Sequence, residues 1–258
     1  MSILKHSASD WCCFKKDYDP LAYYRKLKEI GFAGVEMVPP ERQAAARAAG
    51  LELLNMVGPG MQKGLNRRED HAGILAELRK AIDQAAEDKI GQVVIFSGNR
   101  NGLSDEDGIR NCVAGIKQVI KAAEKAGVTL LFEVLNTYDH KDYHACHGAF
   151  AFSVAKAVGS PHLRVLYDIY HMQRMGEDVI GSIRQNLACI GHLHIAGSPK
   201  RDFPGQKQAI DYAQVVLQVH AMGYRGYWGH EYKTGADSLR ELAQAYALLE
   251  SYAEKEQA

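Results

Sequence analysis

The chain has no excess of charge of either sign. Its 31 Lys and Arg residues balance its 31 Asp and Glu residues, so the formal net charge is zero at pH 7. Proteins that bind nucleic acid or an anionic membrane surface normally carry a basic excess on the binding face. We therefore expect neither a nucleic-acid partner nor a membrane-surface role.

Long apolar runs and cysteine pairs are also missing. No apolar stretch reaches the length of about 18 residues from which a membrane-spanning helix is predicted, and Met1-Ser-Ile-Leu-Lys-His6 lacks the apolar core of a signal peptide. The five cysteines are an odd number without a Cys-x-x-Cys pair. Free thiols in a reducing compartment are the expectation, and we predict a cytoplasmic protein.

A glycine-rich phosphate fingerprint is absent after the first predicted strand, where the sequence reads Ser7-Ala-Ser-Asp-Trp11. A doubly wound dinucleotide-binding sheet would usually carry such a fingerprint at that point. We therefore expect neither a nicotinamide nor a flavin cofactor.

Short β-like runs alternate with longer helical patterns along the whole chain. The predicted strands are residues 3–7, 34–37, 51–57, 92–96, 128–133, 163–168, 190–195 and 227–231, each followed by a predicted helix. Strands separated by helices imply parallel pairing, and eight such units in about 250 residues match a (β/α)8 barrel. The prediction is an α/β protein with one (β/α)8 TIM barrel domain over residues 1–258.

Acidic or imidazole side chains stand at or near the ends of four apolar runs in the second half of the chain. These are Glu133, Asp168, His194 and Glu231, on the fifth to eighth predicted strands. In a barrel of this kind the carboxyl ends of the strands carry the active site. Three carboxylates and one imidazole suit a divalent metal of the Mg²⁺ or Mn²⁺ type, with Co²⁺ as a further candidate.

Such a cation has a chemical use next to a small sugar. It can hold a carbonyl oxygen and a neighbouring hydroxyl oxygen and stabilise the enediolate that forms when the carbon between them loses a proton. Two glutamates on well-separated strands can flank the substrate, one taking the proton and the other returning or relaying it. Glu133 and Glu231 are the predicted catalytic pair.

Several stretches resemble the xylose isomerase-like barrel family of sugar isomerases and epimerases, and within it the hydroxypyruvate isomerase branch. They are Glu133-Val-Leu-Asn136, Tyr167-Asp-Ile-Tyr-His-Met172, Gly191-His-Leu-His-Ile195, Gly223-Tyr-Arg-Gly-Tyr-Trp-Gly-His-Glu-Tyr232, Phe96-Ser-Gly-Asn-Arg100, Gly102-Leu-Ser-Asp-Glu106 and Gly64-Leu-Asn-Arg67. The resemblance implies metal ligation by Glu133, Asp168, His194 and Glu231. It also implies isomerisation between hydroxypyruvate and tartronate semialdehyde, or of a related small oxo-sugar acid.

The resemblance further implies substrate contacts. The histidine three residues after the aspartate, His171, would touch a substrate oxygen, and a basic residue after the seventh strand would bind substrate, for which we choose Arg201 over Lys200. We add Asn136 from the loop after Glu133. A substrate carboxylate would need a cation from Arg100, Arg67 or Arg201. Trp11 either packs on the apolar face of the substrate or serves the core.

Other functions remain open at this stage. Ketose 3-epimerases of the family typically place a second Glu in the loop after Glu133, where this chain offers Asp139 or His140. A non-catalytic sugar-binding barrel would be expected to lose one of the paired glutamates. A phosphodiester-cleaving barrel would need several zinc ions and a basic face. The sequence leaves a homo-oligomer open.

Two histidine motifs carry separate predictions. Tyr143-His-Ala-Cys-His147 offers zinc ligands within one turn, against the alternatives of a surface loop or a pocket wall. His192 and His230 are predicted to pack behind the barrel rather than to join the site.

Overall fold

The structure is a computed structural model that describes residues 2–254. Its strands are β1 (Lys5–Ser9), β2 (Gly34–Glu36), β3 (Glu52–Leu53), β4 (Asn55–Val57), β5 (Gln92–Ile95), β6 (Thr129–Glu133), β7 (Leu163–Asp168), β8 (Ile190–Ile195) and β9 (Tyr227–His230). They form one sheet in the order β3-β2-β1-β9-β8-β7-β6-β5-β4. Within residues 2–254, parallel strands that alternate with helices confirm the predicted α/β fold class.

Helices connect the strands. They are α1 (Asp10–Cys13), α2 (Pro20–Ile30), α3 (Pro40–Ala48), α4 (His71–Glu87), α5 (Asp105–Ile116), α6 (Ile120–Ala126), α7 (Gly148–Val158), α8 (Ile169–Arg174), α9 (Val179–Asn186), α10 (Tyr212–Ala221) and α11 (Ser238–Glu254). Two 3₁₀ turns, Arg68–Asp70 and Leu187–Cys189, lie beside α4 and α9. Within residues 2–254, none of these helices has the length and apolar character needed to cross a membrane.

The chain divides by its contacts into two compact units. The first comprises Met1–Leu54, Asp178–Leu187 and Leu193–Ala258. In it, β1 lies between β2 and β9, and Ser7 is aligned with Gly34 on one side and Gly229 on the other. Because the three strands are parallel and in close register, the side chains of their last residues come to the same edge.

The second unit comprises Asn55–Glu177 and Ala188–His192. Its strands β4 to β7 pair in sequence order, with Asn55 aligned with Gln92 and Leu130 with Leu163. Val93, Leu131 and Val165 are fully buried. Strands covered on both faces read as nearly continuous apolar runs, which is the pattern that the sequence shows here.

The third predicted strand, residues 51–57, is two strands in the structure. Leu54 separates β3, which pairs with β2, from β4, which pairs with β5. The Leu54 side chain lies against Gly34, where an added Cβ would come within 2.9 Å of Leu54 Cγ. Residue 34 therefore has to be glycine for Leu54 to pack where it does, and the sheet has nine strands instead of the eight predicted.

Another predicted boundary is also wrong. The first strand begins at Lys5 rather than at residue 3, because the Ile3 and Leu4 amides donate to the Glu250 carboxylate at 2.8 and 2.9 Å. The helical segment between β5 and β6 is divided after Ile116, where tight i to i+3 bonds replace the α-helical pattern. Ser104 caps α5, since its hydroxyl accepts from the Asp107 amide.

A series of polar side-chain contacts links β1 to the last helix, α11. His6 Nδ1 lies 2.9 Å from His230 Nε2, and His6 Nε2 lies 3.1 Å from a Glu250 carboxylate oxygen. His6 and His230 also pack edge-on against Phe32. His230 therefore faces away from the Glu231 carboxylate, which confirms the prediction that His230 packs behind the barrel.

We predict that Glu250→Gln destabilises the protein by about 2 kcal/mol at pH 7, since a carboxylate that accepts several hydrogen bonds is replaced by a neutral amide. Burial raises the pKa of Glu250, but the bonds from His6, Ile3 and Leu4 lower it to about 2, from an ordinary value of 4.5. The folded-state pKa is the lower one, so this stabilisation is complete above about pH 4.5 and disappears toward pH 2.

Urea unfolding of wild type and variant between pH 3 and pH 7 measures this difference. It should shrink as the pH falls, whereas the exposed Glu77→Gln control on α4 should match wild type throughout. A difference that is independent of pH would contradict the assigned role of the Glu250 charge.

Candidate active site

The four residues singled out at strand ends are buried at those positions. Glu133 and Asp168 close β6 and β7, His194 is the second-last residue of β8, and Glu231 follows β9 directly. Each of these side chains is at most 4% exposed. Burying ionisable groups is costly unless other groups compensate them, so the partners of each decide its chemistry.

Glu231 is held through both carboxylate oxygens. Oε1 accepts from Trp11 Nε1 at 2.8 Å, Oε2 accepts from Arg201, and His194 Nδ1 lies 3.0 Å from Oε2. Burial alone raises the pKa of Glu231, but the charges of His194 and Arg201 outweigh it and bring the pKa to about 2. Glu231 is therefore a carboxylate at neutral pH.

His194 lies between two carboxylates. Its Nε2 is 2.9 Å from Glu36 Oε2, and its Nδ1 faces Glu231. Glu36 is the last residue of β2, is fully buried, and accepts a 2.7 Å hydrogen bond from Ser7 Oγ through its other oxygen. The ends of β2, β8 and β9 in this unit thus carry one charged network.

Arg201 reaches Glu231 from the loop after β8. Its side chain is 9% exposed, and its own carbonyl accepts from the Lys233 amide at 2.7 Å. The residue adopts a left-handed backbone conformation with φ of 54°. This loop conformation directs the guanidinium inward, where it neutralises a buried carboxylate.

Trp11 covers the same carboxylate from α1. The side chain is 56% exposed, yet its indole N–H donates to the buried Glu231. The preceding residue, Asp10, is buried and accepts from Tyr24 Oη at 2.6 Å and from the Arg42 guanidinium. Those bonds fix α1, so Trp11 is a rim residue rather than a core residue.

The second unit builds a separate network around His171. The Asn136 amide N–H and the Asn136 side-chain nitrogen lie 3.1 and 2.6 Å from His171 Nδ1. Since a backbone N–H can only donate, Nδ1 is an acceptor and the ring proton is on Nε2. The ring follows Asp168, whose Oδ1 accepts from the His171 amide and caps α8.

Asp139 is engaged by neighbouring residues. Its Oδ2 accepts from Tyr170 Oη at 2.6 Å and from the Asn136 side chain at 3.0 Å. The amides of Tyr138 and Asp139 in turn donate to Asn136 Oδ1, which closes a tight turn. Asn136 therefore holds the loop and the His171 ring together.

Known proteins resemble this chain in sequence and in fold. The sequence pattern of one family, described as xylose isomerase-like TIM barrel, matches residues 24–252. The chain belongs to the xylose isomerase-like TIM barrel family. The resemblance found in the sequence is thereby confirmed.

Two curated relatives are isomerases by name. The chain is 30% identical over 233 residues to hydroxypyruvate isomerase of Escherichia coli (strain K12), covering 84% of this chain and 89% of the relative. It is 29% identical over 228 residues to 2-oxo-tetronate isomerase of Cupriavidus necator, covering 82% and 86%. The prediction that the protein is an isomerase is confirmed.

A solved structure shares the fold over almost its full length. The crystal structure of AP endonuclease, family 2, from Brucella melitensis matches with a TM-score of 0.83 at 23% identity, covering 95% of this chain and 98% of that chain. At that level of identity, the likeness establishes the fold alone.

Arg100 is paired with an acid in this xylose isomerase-like barrel. Its guanidinium lies 2.5 Å from Asp105 Oδ1 at a partly exposed position. Arg67 donates to the carbonyls of Arg100 and Asn101, so it holds this loop rather than facing a ligand. The structure leaves Arg100 as a candidate for substrate contact and assigns Arg67 a structural role.

The motif at residues 143–147 is a loop anchor. His144 Nδ1 lies 3.0 Å from the Asn66 side-chain nitrogen, and Tyr143 Oη donates to the Glu133 carbonyl at 2.9 Å. Among residues 2–254, the groups that could hold a metal ion do not include His144, Cys146 or His147. The buried part of the motif, residues 143–146, therefore anchors a loop.

Sequence reasoning missed Glu36 and misplaced His192. Glu36 is a charged residue at the end of a strand, and that feature identified the other four residues. However, β2 is only three residues long and the run before it is barely apolar. The prediction that His192 packs behind the barrel is wrong. Side chains two residues apart on a strand share a face, so His192 points to the same side as His194.

We predict that Arg201→Met destabilises the metal-free protein by about 3 kcal/mol, because the buried Glu231 carboxylate loses its cation. The same substitution should cost much less in a Glu231→Gln background, where there is no charge to neutralise. Urea unfolding of the four proteins in EDTA gives the coupling energy of the pair. Additive effects would show that the two side chains do not stabilise each other.

Proposed function

We propose that the protein interconverts hydroxypyruvate and tartronate semialdehyde, or isomerises a related small oxo-sugar acid. Family membership and two relatives that are isomerases of small oxo acids support this substrate class. The buried strand-end glutamates provide the general acid and base that the reaction needs. Hydroxypyruvate and longer oxo-sugar acids share the same reactive carbon pair, so the proposal does not specify the number of carbons in the substrate.

The observation that carries the proposal is the donor set of the site. In one unit Glu133 and Asp168 close the paired strands β6 and β7, and in the other His194 Nδ1 lies 3.0 Å from Glu231 Oε2. Carboxylate oxygens with one imidazole suit Mg²⁺ or Mn²⁺, with Co²⁺ as a further candidate. We propose that these four residues hold one such ion. When bound, the ion would supply positive charge to two adjacent substrate oxygens as negative charge develops on them.

Proton transfer falls to Glu133 and Glu231 in this proposal. One carboxylate removes the proton from the hydroxymethyl carbon, and the other delivers a proton to the neighbouring carbonyl carbon or relays one between the two oxygens. Both carboxyl groups are almost fully buried, so they would act on the substrate in a site that largely excludes bulk water.

The partners of Glu231 set a condition on its role. A carboxylate whose pKa is about 2 is a weak base. Arg201 is one of the two charges that lower the pKa, and its guanidinium also suits the carboxylate of an oxo acid. We propose that a bound substrate shares Arg201 with Glu231, which makes Glu231 more basic when the substrate is in place.

His171, Asn136, Arg100 and Trp11 are the remaining proposed substrate contacts. The Nε2–H of His171 is a fixed donor suited to a substrate hydroxyl or carbonyl oxygen, because Asn136 occupies Nδ1. Trp11 would cover the apolar face of a three- or four-carbon chain. Arg100 would have to leave Asp105 to reach a substrate anion.

The alternatives are less well supported. A ketose 3-epimerase would need Asp139 to substitute for a second glutamate, but Asp139 is already engaged by Tyr170 and Asn136. A non-catalytic sugar-binding barrel would not need both Glu133 and Glu231. The absence of a nicotinamide or flavin requirement, a cytoplasmic location and the oligomeric state stay predictions.

We predict that Glu133→Gln and Glu231→Gln each lower kcat by at least about 1,000-fold, since each removes one member of an acid/base pair. The far-ultraviolet circular dichroism of both variants should match wild type. Turnover is followed as tartronate semialdehyde formed from hydroxypyruvate. Glu250→Gln is a control, because it also removes a hydrogen-bonded, partly buried glutamate but should retain wild-type kcat. Wild-type rates in either active-site variant would refute the acid/base assignment.

Proton exchange tests the reaction class directly. The protein is incubated with Mn²⁺ or Mg²⁺ and hydroxypyruvate in D₂O, and carbon-bound deuterium and new aldehyde are followed by NMR after metal removal. Deuterium together with tartronate semialdehyde establishes the isomerase. Deuterium alone, above a no-enzyme control and a Glu231→Gln control, indicates enolisation of a substrate analogue. No exchange directs the search to ketoses and longer oxo-sugar acids.

We also predict that EDTA treatment abolishes turnover and that Mn²⁺ or Mg²⁺ restores it. Asp168→Asn should require a metal concentration at least about tenfold higher, because one anionic ligand is lost. Titration of activity against free metal measures this requirement. Full activity in EDTA would exclude a catalytic metal.

A further inference from the structure

Glu36 is a buried carboxylate that the proposed proton transfer does not use. It ends β2, is fully buried, and engages a different partner with each oxygen. Oε1 accepts from Ser7 Oγ at 2.7 Å, and Oε2 lies 2.9 Å from His194 Nε2. A carboxylate without solvent is costly, and a neutral side chain would fill the same space at lower cost unless the charge has a use.

The two nitrogens of His194 face different groups. Nε2 faces Glu36, whose carboxylate is an acceptor only, so Nε2 carries a proton. Nδ1 faces Glu231, which also belongs to the proposed metal site. A metal-binding histidine must offer a nitrogen lone pair. With Nε2–H held by Glu36, the proton on Nδ1 that faces Glu231 is the one that a bound cation would displace, so the lone pair offered would be that of Nδ1.

Glu36 is itself held in place. Ser7 is on β1, which pairs directly with β2, and Ser9 is aligned with Glu36 in that pair. The Ser7 hydroxyl fixes Oε1, so the carboxylate plane cannot rotate freely away from His194. The series of contacts from Ser7 through Glu36 to His194 thus links β1, β2 and β8 and ends at the proposed metal position.

We propose that Glu36 is a positioning residue that selects the Nε2–H form of His194 and presents Nδ1 to the metal. The proposal rests on the proposed metal site. It predicts that Glu36 controls metal affinity although it donates no ligand atom. Carboxylates in this relation to a metal-binding histidine typically change metal affinity by about 10- to 100-fold when they are replaced.

The first test is Mn²⁺ binding without turnover, by isothermal titration calorimetry on metal-free protein. Glu36→Ala should raise the dissociation constant by about 100-fold and Glu36→Gln by about 10-fold, since the amide can still accept from Nε2 but lacks the charge. Ser7→Ala should have a smaller effect in the same direction. The Glu250→Gln variant changes a partly buried glutamate outside these contacts and should bind Mn²⁺ as wild type does.

The second test is spectroscopic and does not depend on metal binding. In ¹⁵N-histidine-labelled protein, the Nε2–H proton of His194 should give a downfield resonance, assigned by its loss in His194→Asn. That resonance should disappear or move strongly in Glu36→Ala and persist, shifted, in Glu36→Gln. A purely structural role for Glu36 would alter stability without changing this signal in the folded Gln variant.

The two tests separate the possible failures. Unchanged Mn²⁺ affinity in folded Glu36→Gln and Ser7→Ala, together with an unmoved His194 resonance, overturns the proposal. If wild type binds no divalent metal, the metal part of the proposal fails together with the proposed metal site, and the resonance alone decides whether Glu36 positions His194. If Glu36→Ala does not fold, both measurements are made on Glu36→Gln and Ser7→Ala instead.

Discussion

The ionised carboxylate of Glu231 is the group around which the first unit is organised. Removing a carboxylate from water is unfavourable, and here the cost is offset by an indole N–H, an imidazole and a guanidinium. These three partners come from three different segments: α1, β8 and the loop after β8. Each segment must hold its conformation for the charge to remain compensated. A strand-end glutamate thus couples the conformation of the surrounding loops to the chemistry of the site.

The two histidines of the site are fixed by opposite means. His194 has acidic partners on both ring nitrogens, Glu36 and Glu231, so its orientation is set by charge. His171 receives N–H donors from Asn136 on Nδ1, so it is held neutral with its proton on Nε2. In the first arrangement Glu36 holds Nε2, which would leave Nδ1 as the nitrogen that a bound cation takes over from Glu231. The second suits a donor that must recognise an oxygen on a substrate, which is consistent with the separate roles proposed for them.

Much of the fold could be predicted because strand and helix periods alternate eight times, and the four strand-end residues followed from the same alternation. Glu36 could not be found in this way because β2 is short and carries little apolar pattern. The contact between Arg201 and Glu231 depends on a left-handed backbone conformation at Arg201, which cannot be predicted from the residue type. The division of the third strand at Leu54 depends on the packing of Leu54 against Gly34, a contact between positions that are distant in sequence.

The position of Arg201 also bears on the choice between acidic and neutral substrates. A neutral sugar would leave the guanidinium wholly with Glu231, and the carboxylate would keep the low pKa that makes it a weak base. An oxo acid would draw part of that positive charge toward its own carboxylate and so increase the basicity of Glu231 during the reaction. The substrate charge would then contribute to catalysis as well as to binding. In the proposed function, selection for small oxo acids would follow from the same buried ion pair that stabilises the site.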